Sequence, residues 1–320
     1  MKRNIKERYL SIDIFKGLII LLMVFVNTLS IFDNVPSWTK HAPDYGLTYV
    51  DLIAPFFIFM MALNSNLSFR KRIERDGSRK TYFHFIQRYL IITGIGLLLT
   101  MNPESIFLFR WGILQVLGIS GLILTVFIKF NIKIQCAVAS IFILIHQLII
   151  LYFFGEHIYN AIEGGFFSSL GWGSIILFSS VLTKHFSYDS KNKYFIIGGV
   201  IFLLIGIFTS FIWGISRFRI TLPFVFISIG ASCLLYYLFY LIFDRWENNY
   251  DFINQENFLS IMGKNSFLLF ILHIIIINIL YYIIALNIDT WFVFVIGFSH
   301  GAIIWLISYF LHRFEIYIIL

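Results

Sequence analysis

Three polar residues of different chemical type stand near one another in an otherwise apolar part of the chain: Asn27, His41 and Asp51. His41 lies in a short polar segment, Asp51 follows ten residues later where the next apolar run begins, and Asn27 closes the run before it. An imidazole can take a proton near neutral pH. A carboxylate can fix its tautomer and stabilise the imidazolium, and an amide can donate to a developing oxyanion. Together these groups suit attack on a carbonyl. Each also has an ordinary alternative: a loop histidine is often only solvated, Asp51 could cap the positive end of a helix, and Asn27 could satisfy helix backbone.

The elements that must position these residues are of membrane length. Of 320 residues, 59% are hydrophobic and 13% charged, against roughly 45–50% and 25% in soluble domains. Runs of about 20 mostly apolar residues, enough to span a bilayer, are predicted at 12–32, 48–69, 83–101, 108–128, 133–154, 167–186, 194–213, 221–243, 265–286 and 290–311. The fold class is therefore all-α, a polytopic transmembrane helix bundle of about ten helices. No short-period repeat or low-complexity linker divides it, so residues 1–320 read as a single transmembrane domain.

Charge tests this count, because cytoplasmic loops collect Lys and Arg. With the N-terminus inside, only Lys40, Arg110, Arg217 and Arg219 fall in outer loops, and the other twenty of the 24 Lys and Arg lie on or near the inner side. Both termini are thus expected to be cytoplasmic. The basic N-terminal stretch leads into a long apolar run with no small-residue cleavage site, so it reads as a retained first helix and not a signal peptide. Asn27 is fifteen residues into that helix, about 22 Å along it, which puts it towards the outer face with His41 and Asp51.

The net charge of +7 sits in loops between apolar runs. It sets topology and leaves the lipid bilayer, not nucleic acid, as the surrounding partner. Cys136 and Cys233 lie inside apolar runs, and His84, His146, His157, His185 and His312 show no metal-ligand spacing, so no metal site is expected.

Other polar residues extend the candidate set. Asp13 and Lys16 are three apart on one helix face and can pair with each other, or Lys16 can meet an anionic substrate. Arg70 opens the basic segment RKRIERDGSRK, residues 70 to 80, which either sets topology or meets phosphates on the inner side. Gln115, His273, Asn278 and His300 lie inside predicted spans, where polar groups are costly and face the bundle interior. For the two histidines, hydrogen bonding across helices in the neutral form is the simpler reading. Asn265 and Ser266 either cap a helix or line a channel, and Arg110 and Arg219 are solvated rim charges or contacts for an anionic acceptor.

RYLSIDIFKGLIILLMVFVNT followed by KHAPDYGLTYVDLIAPFFIFMMALNSNLS resembles the heparan-α-glucosaminide N-acetyltransferase family of transmembrane acyltransferases. GILQVLGIS (112–120), MGKNSFLLFILH (262–273) and WLISYFLHRFEIYI (305–318) resemble the same family in the same order. The resemblance implies a membrane-embedded acetyltransferase that moves an acetyl group from cytosolic acetyl-CoA to an amino-sugar or glycan acceptor on the far side. His41 would match the family's catalytic histidine and Asn27 its active-site asparagine. Asp51 would orient His41, and Lys16, Arg70, Gln115, Asn265, Ser266 and His273 are the candidates for contact with acetyl-CoA. Two departures stand out: the family's Arg-Gly in the first helix is Lys16-Gly17, and a glycine of the second helix is replaced by Ala62. Lysine keeps the charge but loses arginine's bidentate fork. Acyltransferase-3 proteins resemble the chain more loosely and carry His where this one has Asn27. The long lumenal domain of animal members is not in this sequence, so a microbial relative in the cytoplasmic membrane is expected; members of the family it resembles are often dimeric, which leaves the oligomeric state open. The competing class is a multi-pass transporter of a small polar or sugar-like solute, for which inverted repeats and midplane ionisable groups would be expected.

Overall fold

In the computed structural model, which describes residues 9–101, 111–184, 186, 193–245, 256–284 and 287–318, the backbone is helical and forms no strand among those residues. Nine helical spans among the described residues are long and apolar enough to cross a membrane. They comprise α1 (Leu10–Leu29), α2 (Tyr49–Asp76), α3 (Ser78–Leu99), α5 (Ile132–Ile149) with its continuation α6 (Gly155–Asn160), α7 (Ser169–Thr183) with the helical turn Phe166–Ser168 that leads into it, α8 (Lys193–Trp213), α9 (Leu222–Tyr240), α11 (Ser266–Ile283) and α12 (Thr290–Arg313). Where a tenth span was expected at 108–128, α4 (Ile113–Phe127) is a shorter apolar helix of 15 residues, about 22 Å long. Residues 102–110, Arg110 among them, lie outside the described set. A further short helix, α10 (Phe258–Lys264), precedes α11.

Two compact units are present, one formed by the described residues up to His41 and from Leu235 onward, the other by Ala42–Leu234. In the first, α1 is enclosed by α10, α11 and α12. Its start has no side-chain cap of its own; instead the Asp244 carboxylate accepts from the backbone N–H groups of Leu10 at 2.8 Å and Ser11 at 3.2 Å. That anion satisfies orphan donors at the positive end of the helix. Alongside, α1 and α10 touch backbone to backbone. A Cβ added at Gly17 would stand 1.9 Å from the Leu259 carbonyl oxygen, and one at Gly263 would stand 1.8 Å from that of Asp13.

In the second unit, α7 is buried among α2, α4, α5 and α8, while α3 packs on α4. Small residues again set the distance: a Cβ at Gly118 would meet the Thr93 hydroxyl at 2.0 Å, and one at Gly121 the Tyr89 ring at 2.2 Å. Close approach of this kind is how apolar helices associate where water exclusion gives no driving force. A polar network joins α2 to the start of α5 and the end of α7. Asn66 donates to Thr183 Oγ1 at 2.9 Å and to the Ser180 carbonyl at 3.0 Å, and Ser180 donates to Gln135 Oε1 at 3.2 Å.

The α1–α10 contact predicts that Gly17→Ala lowers the thermal stability of detergent-solubilised protein by the equivalent of about 1–3 kcal/mol, the usual cost of overpacking. Gly94→Ala, where nothing lies within 4 Å of the added carbon, is expected to leave the melting temperature unchanged or slightly raised, since alanine favours a helix interior over glycine; equal melting of the two variants would contradict the packing described.

Candidate functional site

Asn27 sits two residues before the end of α1, and its amide Nδ2 lies 3.2 Å from His273 Nε2 on α11. The other ring nitrogen, Nδ1, faces the Phe270 carbonyl, which can only accept, so in the neutral imidazole the proton is on Nδ1 and Nε2 must accept. Asn27 is therefore the donor of this pair. Its neighbour Thr28 donates to the Val24 carbonyl at 2.7 Å and lies 2.7 Å from His300 Nδ1 on α12. With the hydroxyl proton committed, His300 donates through Nδ1, and its buried Nε2 has no hydrogen-bond partner among the described residues. Two successive residues of α1 thus each hold a histidine from a different helix. This is the cross-helix hydrogen bonding anticipated for His273 and His300.

From Asn27 the chain reaches His41 through a segment pinned to the start of α12. Phe32 is buried beside Leu29 and Val293, and Trp38 stacks on Phe294 with ring centroids 6.1 Å apart. Asn34 donates to Asn287 Oδ1 at 2.7 Å, and Thr290 donates back to the Asn34 carbonyl at 3.0 Å. His41 itself is half-buried.

Beyond His41 a second set of bonds takes over. Asp51, fully buried, accepts through Oδ2 from the N–H of Thr48 at 2.7 Å, the Thr48 hydroxyl at 3.1 Å and the N–H of Ala42 at 3.3 Å. It is the acidic half of a capping box that opens α2. The same carboxylate holds the backbone of the residue next to His41.

The segment from Ala42 to Thr48 is tied again to the α8–α9 connection. Gly46 N–H donates to the Ile215 carbonyl at 2.8 Å, and Asp44 receives Arg219 bidentately, with Nε at 2.9 Å from Oδ1 and Nη2 at 2.6 Å from Oδ2. Ser216 donates to Asp44 Oδ1 at 3.0 Å, and Arg219 Nη2 also donates to Glu156 Oε1 at 2.9 Å. The Asp44 hydrogen bonds, opposed by burial and aided by Glu156, hold the Arg219 guanidinium in its charged form even more firmly than usual. Arg217 likewise pairs with Glu163 at 2.6 Å. Sequence left Arg219 as a solvated rim charge or an acceptor contact; its side chain is 10% exposed and engaged with two carboxylates.

The remaining candidates separate. Lys16 pairs with Asp13 at 3.1 Å. Gln115, fully buried, accepts from the Gly112 N–H at 3.1 Å and donates to Thr100 at 2.8 Å, which places it at the corner between α3 and α4. Asn265 uses both ends of its amide on the C-terminal segment, donating to the Ile316 carbonyl and accepting from the Ile318 N–H at 3.0 Å each. Ser266 begins α11 and is half-buried. Arg70 borders a cleft of about 280 Å³ together with Asn66, Glu74, Lys129 and Lys184. Burial, and then the Arg70 charge, lower the pKa of the Lys184 ammonium. Lys129 and Lys184 carry no mark in the sequence, because both lie in connections between apolar runs, where positive charge is explained by topology alone. Among the described residues no group of three or more His, Cys, Asp or Glu is arranged to hold a metal ion.

A family model described as "Heparan-alpha-glucosaminide N-acetyltransferase, catalytic" matches residues 8–240. The chain belongs to this family. The matched range takes in Asn27, His41, Asp51, Arg70 and Gln115, and ends before α10, α11 and α12. Heparan-alpha-glucosaminide N-acetyltransferase of Mus musculus is 29% identical over 133 residues, covering 39% of this chain and 20% of that protein. The Homo sapiens protein of the same name is 31% identical over 127 residues, 37% of this chain and 19% of its own length. The match thus spans about a fifth of either relative. With its apolar spans, this family member is a multi-pass membrane protein.

If the Asp51 bonds hold the start of α2, Asp51→Ala strands two N–H groups and one hydroxyl, and is expected to cost about 1–3 kcal/mol. Thermal unfolding of the variant against Asp51→Asn, which keeps one acceptor oxygen, checks this: the asparagine variant should lose less.

Proposed function

We propose that the protein is a membrane-embedded acetyltransferase that transfers the acetyl group of cytosolic acetyl-CoA to an amino sugar or glycan on the outer side, with residues 1–320 as one catalytic domain. The observation that carries this reading is the Asn27–His273 pair: an amide held by an imidazole that can only accept keeps its second N–H, unpartnered among the described residues, for negative charge on a substrate. Family membership supports it, since the matched range includes Asn27, His41 and Asp51.

In this mechanism His41 takes the proton from the acceptor's amine or hydroxyl as that atom attacks the thioester carbonyl. Asn27 donates to the oxyanion, the carbon–sulfur bond breaks, and the proton passes to the departing thiolate, giving the acetylated acceptor and free CoA. Direct transfer with both substrates bound is the simplest order. Asp51 orients His41 through the backbone next to it. Arg70, with Lys129 and Lys184, forms a cationic cleft suited to the phosphates of CoA. Lys16, Gln115, Asn265 and Ser266 are retained as further donor contacts. A cytoplasmic membrane, cytosolic termini and a homodimer complete the proposal.

Purified protein incubated with labelled acetyl-CoA and a panel of amino sugars and cell-envelope glycans is expected to transfer label, and His41→Ala to reduce the rate roughly 10²–10⁴-fold. Failure of the wild type to bind CoA or to transfer label would overturn the enzyme; full activity in His41→Ala would overturn the base. Arg70→Ala is expected to raise KM for acetyl-CoA about tenfold with kcat little changed, the loss of one charge-assisted contact. An unchanged KM would remove the cleft from the donor site.

A further inference from the structure

His41 has no helix of its own, and the chain on either side of it is attached to other elements. On the C-terminal side the chain makes three attachments within five residues, through the Ala42 N–H, the Asp44 carboxylate and the Gly46 N–H, and two of them lead to the α8–α9 connection. That connection is held in turn. His146 Nε2 donates to the Arg219 carbonyl at 3.0 Å, Gln147 Oε1 accepts from the Leu222 N–H at 2.9 Å, and Arg219 N–H donates to the Ser216 hydroxyl at 3.2 Å. Between them Ile220, fully buried, adopts a φ of +53°, a left-handed conformation that a β-branched residue takes only when its surroundings impose it. The Arg219 guanidinium is flanked by the rings of Tyr159 at 4.9 Å and Tyr45 at 5.8 Å, so its plane as well as its charge is fixed.

We propose that Arg219 is a positioning residue for acyl transfer: through its bidentate pair with Asp44 it locks the segment that begins one residue after His41 onto a rigid α8–α9 connection, and so fixes where the imidazole stands. This rests on the reading of His41 as the base. A two-point guanidinium–carboxylate contact suits that task because it fixes direction as well as distance. In this proposal the pair has no part in holding the donor. Its loss should slow the chemical step and leave acetyl-CoA binding alone.

The experiment combines kinetics with a readout of loop order that needs no activity. Arg219→Ala and Asp44→Ala should each lower kcat at least about tenfold with KM for acetyl-CoA within about twofold, since small misplacements of a reacting group are costly. The double variant should be no slower than either single one, because the two residues act as a unit. Arg219→Lys, with charge but no fork, should fall between. Pro43 is exposed, and a Pro43→Cys thiol should react about tenfold faster with a maleimide in the Arg219→Ala background than with Arg219 intact, the protein lacking that cysteine serving as blank. Unchanged kcat and labelling in Arg219→Ala would overturn the proposal, as would additive losses in the double variant or a rise in the KM for acetyl-CoA as large as the fall in kcat. Should Arg219→Ala not fold, Arg219→Lys and Asp44→Asn carry the test, and normal kcat and labelling in both would overturn it. If the wild type transfers no acetyl group, or His41→Ala is fully active, the assignment of the base fails, while the labelling rates still decide whether the pair holds the loop.

Discussion

In hydrocarbon there is no water to complete a hydrogen bond, so every backbone and side-chain polar group in the spans must find its partner inside the protein. That constraint makes the chain helical, and it also explains the pattern of its side chains. Thr28, Thr93, Thr125, Thr183 and Ser232 return their hydroxyl protons to carbonyls four residues earlier. Asn66, Gln135, His273 and His300 reach instead to another helix or to the connection between two. Polar residues here are either spent locally or act as cross-links, and the few with capacity left over stand out against that background.

The same constraint decides how helices meet. Apolar faces gain little from one another when lipid is equally apolar, so close backbone approach through glycine supplies contact that larger side chains would prevent. Helix α1 shows the result: glycine contact with α10, an aspartate holding its first turn, and two histidines holding its last. A helix fixed at both ends and along one side is a firm base for the segment that leads to His41.

Much of this organisation could be read from the chain. Spacing of three predicted the Asp13–Lys16 pair, hydropathy predicted the spans, and the alternative of a capping role for Asp51 corresponds to the capping box observed. What stayed hidden were contacts between residues far apart in sequence. Asp44 and Arg219 are 175 positions apart, and Asp244 caps a helix 234 positions away; no local pattern marks either, because each carboxylate looks like any loop residue until the fold delivers its partner. Lys129 and Lys184 were hidden for the opposite reason, since a topological explanation already accounted for them. Asn27 and His273 were visible because they interrupt apolar runs, whereas Asp44 and Arg219 lie in connections where polarity is unremarkable.

The two glycines between α1 and α10 also bear on how related chains should be compared. Any sequence that keeps this backbone geometry must keep a residue without a side chain at positions 17 and 263, whatever reaction it performs. Invariance there would record a volume limit. A comparison that ranked positions by invariance alone would set Gly17 beside His41 and mistake a spacer for chemistry.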